Sequence, residues 1–173
     1  MKKSLLLLFL IYIFGCDKDN KPANPIDQLP PATQTGAGTF GCLVNGEPFV
    51  DNSGFFNCFY QLVDGEYYFG IRGRKNSFID QIVIGSEKKN IEKEVDLMLQ
   101  SRSDGKFWAN VSFDCSNCLS ASTTDIIPGT IVFTTLDFQN NIVSGTFEFT
   151  VTDPNTDEIY EITEGRFDAF FTQ

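Results

Sequence analysis

The sequence of 173 residues contains no histidine, and its 13 lysines and arginines are outnumbered by 23 aspartates and glutamates. The lack of histidine excludes Ser-His-Asp and Cys-His catalysis, histidine-ligated zinc and haem, and a histidine pH switch. The formal charge of −10 at pH 7 gives no positive field for a phosphate backbone, so we expect no nucleic-acid partner. Hydrophobic residues make up 42% of the chain, which is ordinary for a globular domain. Nothing in the composition calls for a cofactor.

The N-terminus has the pattern of an export signal. Residues 1–16 read MKKSLLLLFLIYIFGC, with two lysines, an apolar run too short to span a bilayer, and a small residue before a cysteine. This predicts a signal peptide over residues 1–15. The residues Ile13 to Cys16 are similar to a bacterial lipobox, which predicts lipidation of Cys16. The alternative is that Cys16 is simply the first cysteine of a soluble secreted protein.

A polar segment follows the predicted lipidation site. Residues 17–20, DKDN, look like the short signal that sends Bacteroidota lipoproteins to the outer face of the outer membrane, although a solvated run of charges is the simpler interpretation. We therefore expect an outer-membrane lipoprotein exposed at the cell surface, with a periplasm-facing one as the alternative. Residues 16–38 contain KPANPIDQLPPATQTGAG and predict an extended, proline-rich tether. Residues 39–173 are then a single β domain.

The remainder of the chain alternates short β-branched or aromatic runs with turn signals such as Asn45-Gly46 and Asp64-Gly65. This predicts an all-β fold, an antiparallel β-sandwich or a partly open β-barrel of about 8–11 short strands. The pattern of residues 87–99 is compatible with either a strand or one short helix. The expected strands are 39–44, 47–51, 55–63, 66–74, 78–85, 93–100, 106–113, 130–138, 142–152, 158–163 and 165–171.

Alternation along two segments separates a buried face from an outward face. In residues 106–113 the apolar residues Phe107, Ala109, Val111 and Phe113 share one face. Residues 146–152 alternate in the same manner. The 18 phenylalanines of the chain are best explained by an interior built from their rings.

Two stretches carry a family resemblance. Residues 30–49, PPATQTGAGTFGCLVNGEPF, and residues 143–171, from VSGTFEFTV to ITEGRFDAFF, together resemble a family of Bacteroidota lipoproteins of about this size that carry a domain of unknown function. The resemblance implies a secreted β domain on a lipid anchor. It implies no catalytic residues.

Four further cysteines are expected to form disulfides, because an even number of cysteines in an exported chain is typical of them. The preferred pairing is Cys42 with Cys58 and Cys115 with Cys118. Pairing each early cysteine with a late one is the alternative. The CxxC spacing of Cys115 and Cys118 also matches a redox dithiol, but the βαβ context of such a site is missing.

The outward face of two predicted strands is the candidate binding site. Trp108, the only tryptophan, shares its face with Lys106 and Asn110. On residues 66–74, alternation places Tyr68, Arg72 and Arg74 together. Aromatic rings beside polar and cationic groups suit sugar stacking or a protein partner. The alternative is that a neighbouring loop covers both rings.

Two further groups of residues are weaker candidates for a functional site. Residues 153–164 imitate the oxygen spacing of a calcium loop, but Glu158 stands where that loop needs glycine, so an acidic hairpin tip is favoured. The calcium candidates are Asp153, Asn155, Asp157, Glu161 and Glu164. No catalytic motif is found, and carboxylate pairs suited to glycoside hydrolysis arise by chance among 23 acids. We therefore expect a ligand-binding or accessory module, with glycans as one class of ligand. The alternative is a structural or assembly protein that packs against an envelope partner. A histidine-free hydrolase is the third and least favoured hypothesis.

Overall fold

The computed structural model describes residues 24–54, 56–114 and 119–173. The predicted signal peptide, Cys16, and the pair Cys115 and Cys118 lie outside these ranges. The described chain forms one 11-stranded sheet that is strongly curled into an open half-barrel. The prediction of an all-β, partly open barrel is confirmed, and the sandwich alternative is not adopted. Among the described residues, no helix is long and apolar enough to cross a membrane.

The strands follow one another mostly through hairpins. They are β1 (Thr39–Val44), β2 (Glu47–Val50), β3 (Asn57–Val63), β4 (Glu66–Arg74), β5 (Ile79–Glu87), β6 (Leu97–Leu99), β7 (Lys106–Phe113), β8 (Ala121–Ser122), β9 (Gly129–Asp137), β10 (Ile142–Thr152) and β11 (Ile159–Phe170). The order across the sheet is β2-β1-β11-β10-β9-β6-β7-β5-β4-β3, with β8 beside β7. All neighbours are antiparallel except β6 and β7, which meet in a single parallel pair.

The concave side of the sheet holds the core. Phe133 is fully buried near its centre, and its ring centroid lies 5.1 Å from that of Phe69, 5.5 Å from Phe107 and 6.0 Å from Phe167. Strand β7 alternates without a break, with its odd-numbered residues buried and its even-numbered ones half-buried. The predicted faces of this strand and the phenylalanine interior are therefore confirmed.

The edge strand β3 is joined to the residues that follow β11, an inner strand near the other end of the sheet order. The backbone N–H of Tyr60 on β3 donates to the carbonyl of Thr172 at 2.9 Å, and the N–H of Thr172 donates to the carbonyl of Cys58 at 3.1 Å. The buried ring of Phe171 packs against Tyr60 and Phe138 at 6.0 and 5.9 Å between centroids. This contact, which we call the seam, holds β3 against the end of β11.

The helix considered near residues 87–99 is not formed. The segment instead contains a β-bridge between Lys93 and Phe133 and the short strand β6 between β7 and β9. Leu97 and Leu99 are buried while Met98 between them is exposed. A strand fills the position between β7 and β9 better than a helix does, because the strands on both sides offer backbone groups that only an extended chain can pair. The side chains of this strand alternate with a period of two.

Residues 24–38, which the sequence suggested as part of the tether, pack against the domain instead. They contain a 3₁₀ turn, Pro25–Gln28, and the side chain of Leu29 is buried. Pro30 packs so closely on Gly41 of β1 that a Cβ there would lie 2.6 Å from the proline ring. The ordered structure therefore begins well before Thr39.

The last strand is continuous where the sequence suggested two. Phe147 pairs with Gly165 and Phe149 with Ile162, so β11 carries one residue more than β10 over this stretch. Glu164 adopts a positive φ of 53° at this point. A β-bulge thus replaces the predicted break, because it absorbs the extra residue without ending the ladder.

Candidate functional site

The convex side of β3, β4, β5 and β7 carries partly exposed aromatic side chains above a floor of glycines. We call this surface the aromatic face, and its central residues are Phe59, Tyr68 and Trp108 with Gly70 and Gly85 beneath them. It is the surface that the alternation of β4 and β7 predicted.

The sheet register aligns these residues in a row. Phe59 is opposite Gly70, Gly70 is opposite Gly85, and Gly85 is opposite Trp108. Two residues along each strand, Gln61 is opposite Tyr68 and Glu87 is opposite Lys106, which gives a second row on the same face. Since side chains on one face recur every second residue, the rows are about 7 Å apart.

The two glycines let the rings lie close to the sheet. A Cβ at Gly85 would be 2.7 Å from Cζ2 of Trp108, and a Cβ at Gly70 would overlap the ring of Phe59. Neither glycine has a positive φ, so backbone conformation does not require them. The requirement is space, because any side chain would lift the rings away from the sheet.

A cleft of about 310 Å³ opens beside these rings. It is lined by the aromatic side chains of Phe59, Tyr68 and Trp108 and by the polar side chains of Gln61, Glu87 and Arg102. A second cleft of about 210 Å³ lies on the other side of Phe59, against Arg72 and Gln81. Phe59 is therefore a ridge between two adjoining depressions. The buried indole Nε1 of Trp108 has no hydrogen-bond partner within the described ranges.

A charged side chain lies on the tryptophan itself. The guanidinium carbon of Arg102 is 4.7 Å from the centroid of the Trp108 ring. Glu87 holds this guanidinium through one carboxylate oxygen, at 2.6 Å from Nε and 2.5 Å from Nη2. Arg102 comes from the loop between β6 and β7, so the loop contributes a wall to a site otherwise built on strands.

The structure brings only some of the predicted binding residues into this cleft. Tyr68 and Trp108 line it together, and Arg72 lines the second depression. The remaining three make local contacts. Arg74 pairs with Asp80 at 3.1 Å, Lys106 pairs with Asp125 at 2.8 Å, and Asn110 donates to Ser122 Oγ at 3.0 Å.

Several residues of the aromatic face were missed from the sequence. Phe59 and Gln61 depend on the pairing of β3 with β4, and Arg102 depends on the path of a loop. The glycines did carry a signal, since Gly70 and Gly85 stand in the middle of strands, where glycine often marks a close approach.

The preferred disulfide between Cys42 and Cys58 is not formed. Both are free, buried thiols, which also leaves the cross-paired alternative unformed. They lie on β1 and β3, near opposite ends of the sheet order, and no ladder of the described sheet sets them at the short Cα separation that a disulfide needs. Burial raises the pKa of both thiols, which favours their protonated form in the folded protein.

The calcium-like stretch folds as the hairpin between β10 and β11. The carboxylate of Asp153 accepts the backbone N–H of Asn155 at 2.8 Å and closes the turn. Glu158 accepts from the Tyr160 hydroxyl at 2.9 Å, and burial together with this contact raises the pKa of Tyr160 to about 12. Glu164 bonds Arg166 at 3.0 Å. No group of three or more acidic or cysteine ligands converges among the described residues.

A larger groove of about 570 Å³ crosses the convex side of β9, β10 and β11. It presents the carboxylates of Asp96, Glu148 and Glu164 around Arg166, which Glu164 already pairs. Its one aromatic residue, Phe147, is buried on the core side. This groove offers charge but no ring surface for a ligand.

The two motifs of the family resemblance meet at one carboxylate. Asp168 of GRFD is buried and accepts the Thr33 hydroxyl at 2.6 Å and the backbone N–H groups of Thr35, Gly36 and Ala37 at 2.8 to 3.0 Å. The Ser144 hydroxyl adds a bond of 2.7 Å. Burial acts to raise the pKa of Asp168, but these hydrogen bonds outweigh it and hold the pKa well below the ordinary range. The motifs thus build a structural clasp, which does not line either cleft of the aromatic face.

Comparisons of the chain with protein family models, with curated proteins and with solved structures give no match.

Proposed function

We propose that this protein is a saccharide-binding module and that its ligand stacks on the aromatic face. The observation that carries the proposal is the pair of rings, Phe59 and Trp108, lying over glycines beside an open cleft. The one carboxylate that lines the cleft among the described residues, Glu87, is paired with Arg102, so binding is the activity that this face supports best.

The chemistry of the cleft suits a sugar ring. A pyranose presents a patch of C–H groups that packs on an aromatic ring, while its hydroxyls need donors and acceptors around the rim. Gln61, Tyr68 and Glu87 line the cleft and supply both kinds of group beside the rings. A purely apolar ligand would leave these polar side chains unmatched at a cost in affinity.

We further propose that the domain is held at the outer membrane through a lipid on Cys16 and faces the cell exterior. The support is the signal-like N-terminus, the following DKDN and the family resemblance. Because Asn24 is already fixed on the domain, the chain from Cys16 to Asn24 spans at most roughly 28 Å. The domain would then lie close to the membrane surface.

Calorimetric titration of the protein with a panel of oligosaccharides tests the proposal. We expect Trp108→Ala to weaken binding at least tenfold, about 1.4 kcal/mol, because the stacking surface is removed. Trp108→Phe keeps a ring and should retain most of the affinity. Ser112→Ala, further along the same face of β7, is the matched control.

A wild-type protein that binds none of the panel at millimolar concentration would contradict the proposal. Equal affinities of the wild type and Trp108→Ala would also contradict it. In either case, specific co-purification with one envelope protein would favour the assembly role instead.

A further inference from the structure

Arg102 covers the one tryptophan of the proposed saccharide site. Its guanidinium lies over the indole, 4.7 Å from the ring centroid, and the same ring also lies against Gly85 of the sheet. The indole therefore contacts both the sheet and a charged side chain. A sugar that stacks on the face of Trp108 under Arg102 must displace this arginine.

The contacts that hold Arg102 are weak enough to be exchanged. Its side chain is 64% exposed, and an ion pair or cation–π contact at such a site contributes little net stability. Glu87 engages Nε and Nη2 through one oxygen only. Since a guanidinium has five N–H donors in a planar fork, the remaining donors can take a second anion.

Resting on the proposed function, we propose that Arg102 is a displaceable cover of Trp108 and that the site selects saccharides bearing a carboxylate or sulfate. An acidic sugar replaces both contacts of Arg102. The sugar ring stacks on the indole where the guanidinium lay, and the anionic group of the sugar pairs with the guanidinium in place of Glu87. A neutral sugar displaces Arg102 and offers it no new partner. The cover therefore penalises neutral ligands and rewards acidic ones.

The cover itself is tested without any ligand. Trp108 is the only tryptophan, so acrylamide quenching of its fluorescence reports how accessible this one ring is. We expect Arg102→Ala to raise the quenching constant about twofold. Lys88→Ala, which removes the nearby exposed pair with Asp104, is the control and should leave quenching unchanged. Equal quenching of the wild type and Arg102→Ala would overturn the cover.

The ligand class is tested by titrating the same chains with trigalacturonate and with the neutral galactotriose. We expect Arg102→Ala to weaken trigalacturonate at least fivefold and to strengthen galactotriose about twofold. An equal loss of affinity for both sugars would overturn the proposal, since Arg102 would then contact every ligand in the same way and would not select acidic ones. Wild-type protein that prefers the neutral sugar would overturn it too. If neither sugar binds any chain while quenching still rises in Arg102→Ala, the saccharide function fails and the cover remains.

Discussion

Gly85 and Gly70 set how closely two aromatic rings approach the sheet. Gly85→Ala forces Trp108 outward, since the new Cβ would meet the indole at 2.7 Å, and we expect a cost of about 1–3 kcal/mol in unfolding free energy. Trp108 emission should shift to longer wavelength as the ring meets more water. Gly70→Ala is the matched variant, because it displaces Phe59 and should cost a similar amount without shifting the emission. Identical spectra for both variants would show that Gly85 does not seat the indole.

Asp168 is the residue on which the clasp depends. Asp168→Asn places an amide N–H among donors from Thr33, Gly36 and Ser144, and we expect it to cost about 3 kcal/mol or more. Glu148→Gln, at an exposed position of β10, should change the unfolding free energy by less than about 0.5 kcal/mol. Urea unfolding at pH 7 measures both, and equal effects would contradict the clasp.

The low pKa of Asp168 also gives the clasp a pH dependence. A carboxyl whose folded pKa lies below its unfolded value of about 3.9 contributes stability that is fully present above that pH and is lost as the pH falls toward the folded pKa. The wild type should therefore lose its advantage over Asp168→Asn progressively below about pH 4. Unfolding curves at pH 7, 5 and 3 test this, and a constant difference between the two proteins would contradict it.

At the scale of elements, the strands with clear alternation could be predicted and the irregular ones could not. Strands β1, β4, β7 and β10 run over the expected residues because turn signals bound them and their apolar positions alternate. Strand β6 has only three residues, and its location is decided by the gap between β7 and β9. The bulge in β11 depends on two neighbouring strands at once, which no local pattern encodes.

The same contrast applies to the candidate site. Alternation placed Tyr68 and Trp108 on outward faces, but the single strand between β4 and β7 that brings them into one cleft is a fact of sheet order. The prediction that the segment before β1 is part of an extended tether was wrong for a related reason. Its prolines and small residues look like a tether in composition, whereas its order comes from hydrogen bonds to Asp168, over 130 residues further along the chain.

This segment should therefore behave as part of the domain. We expect a chain that begins at residue 39 to melt about 10 °C below one that begins at residue 24, because it loses the buried Leu29, the packing of Pro30 on Gly41 and the partners of Asp168. Asp168→Asn should cost much less in the shorter chain, since the two changes remove the same bonds. Additive effects in calorimetry would mean that the segment is stabilised elsewhere.

At the scale of the whole molecule, the curl of the open sheet brings its edge strand β3 against residues 171–173, and the seam is the contact that holds this edge in place. Phe171 is 3% exposed and packs on Tyr60 and Phe138, so Phe171→Ala should cost about 3–5 kcal/mol. Its neighbour Phe170 is 59% exposed, so Phe170→Ala is the matched control and should cost less than about 1 kcal/mol.

The seam also predicts where the loss of stability appears. Hydrogen exchange should accelerate at the amides of Tyr60 and Thr172, which bond across the seam, before it accelerates at Val111 or Ile131 in the middle of the sheet. If Phe171→Ala instead accelerates exchange equally at all four amides, the half-barrel opens only by global unfolding. Because β3 carries Phe59 and Gln61, an open seam should also loosen the aromatic face, and saccharide affinity would then fall in Phe171→Ala but not in Phe170→Ala.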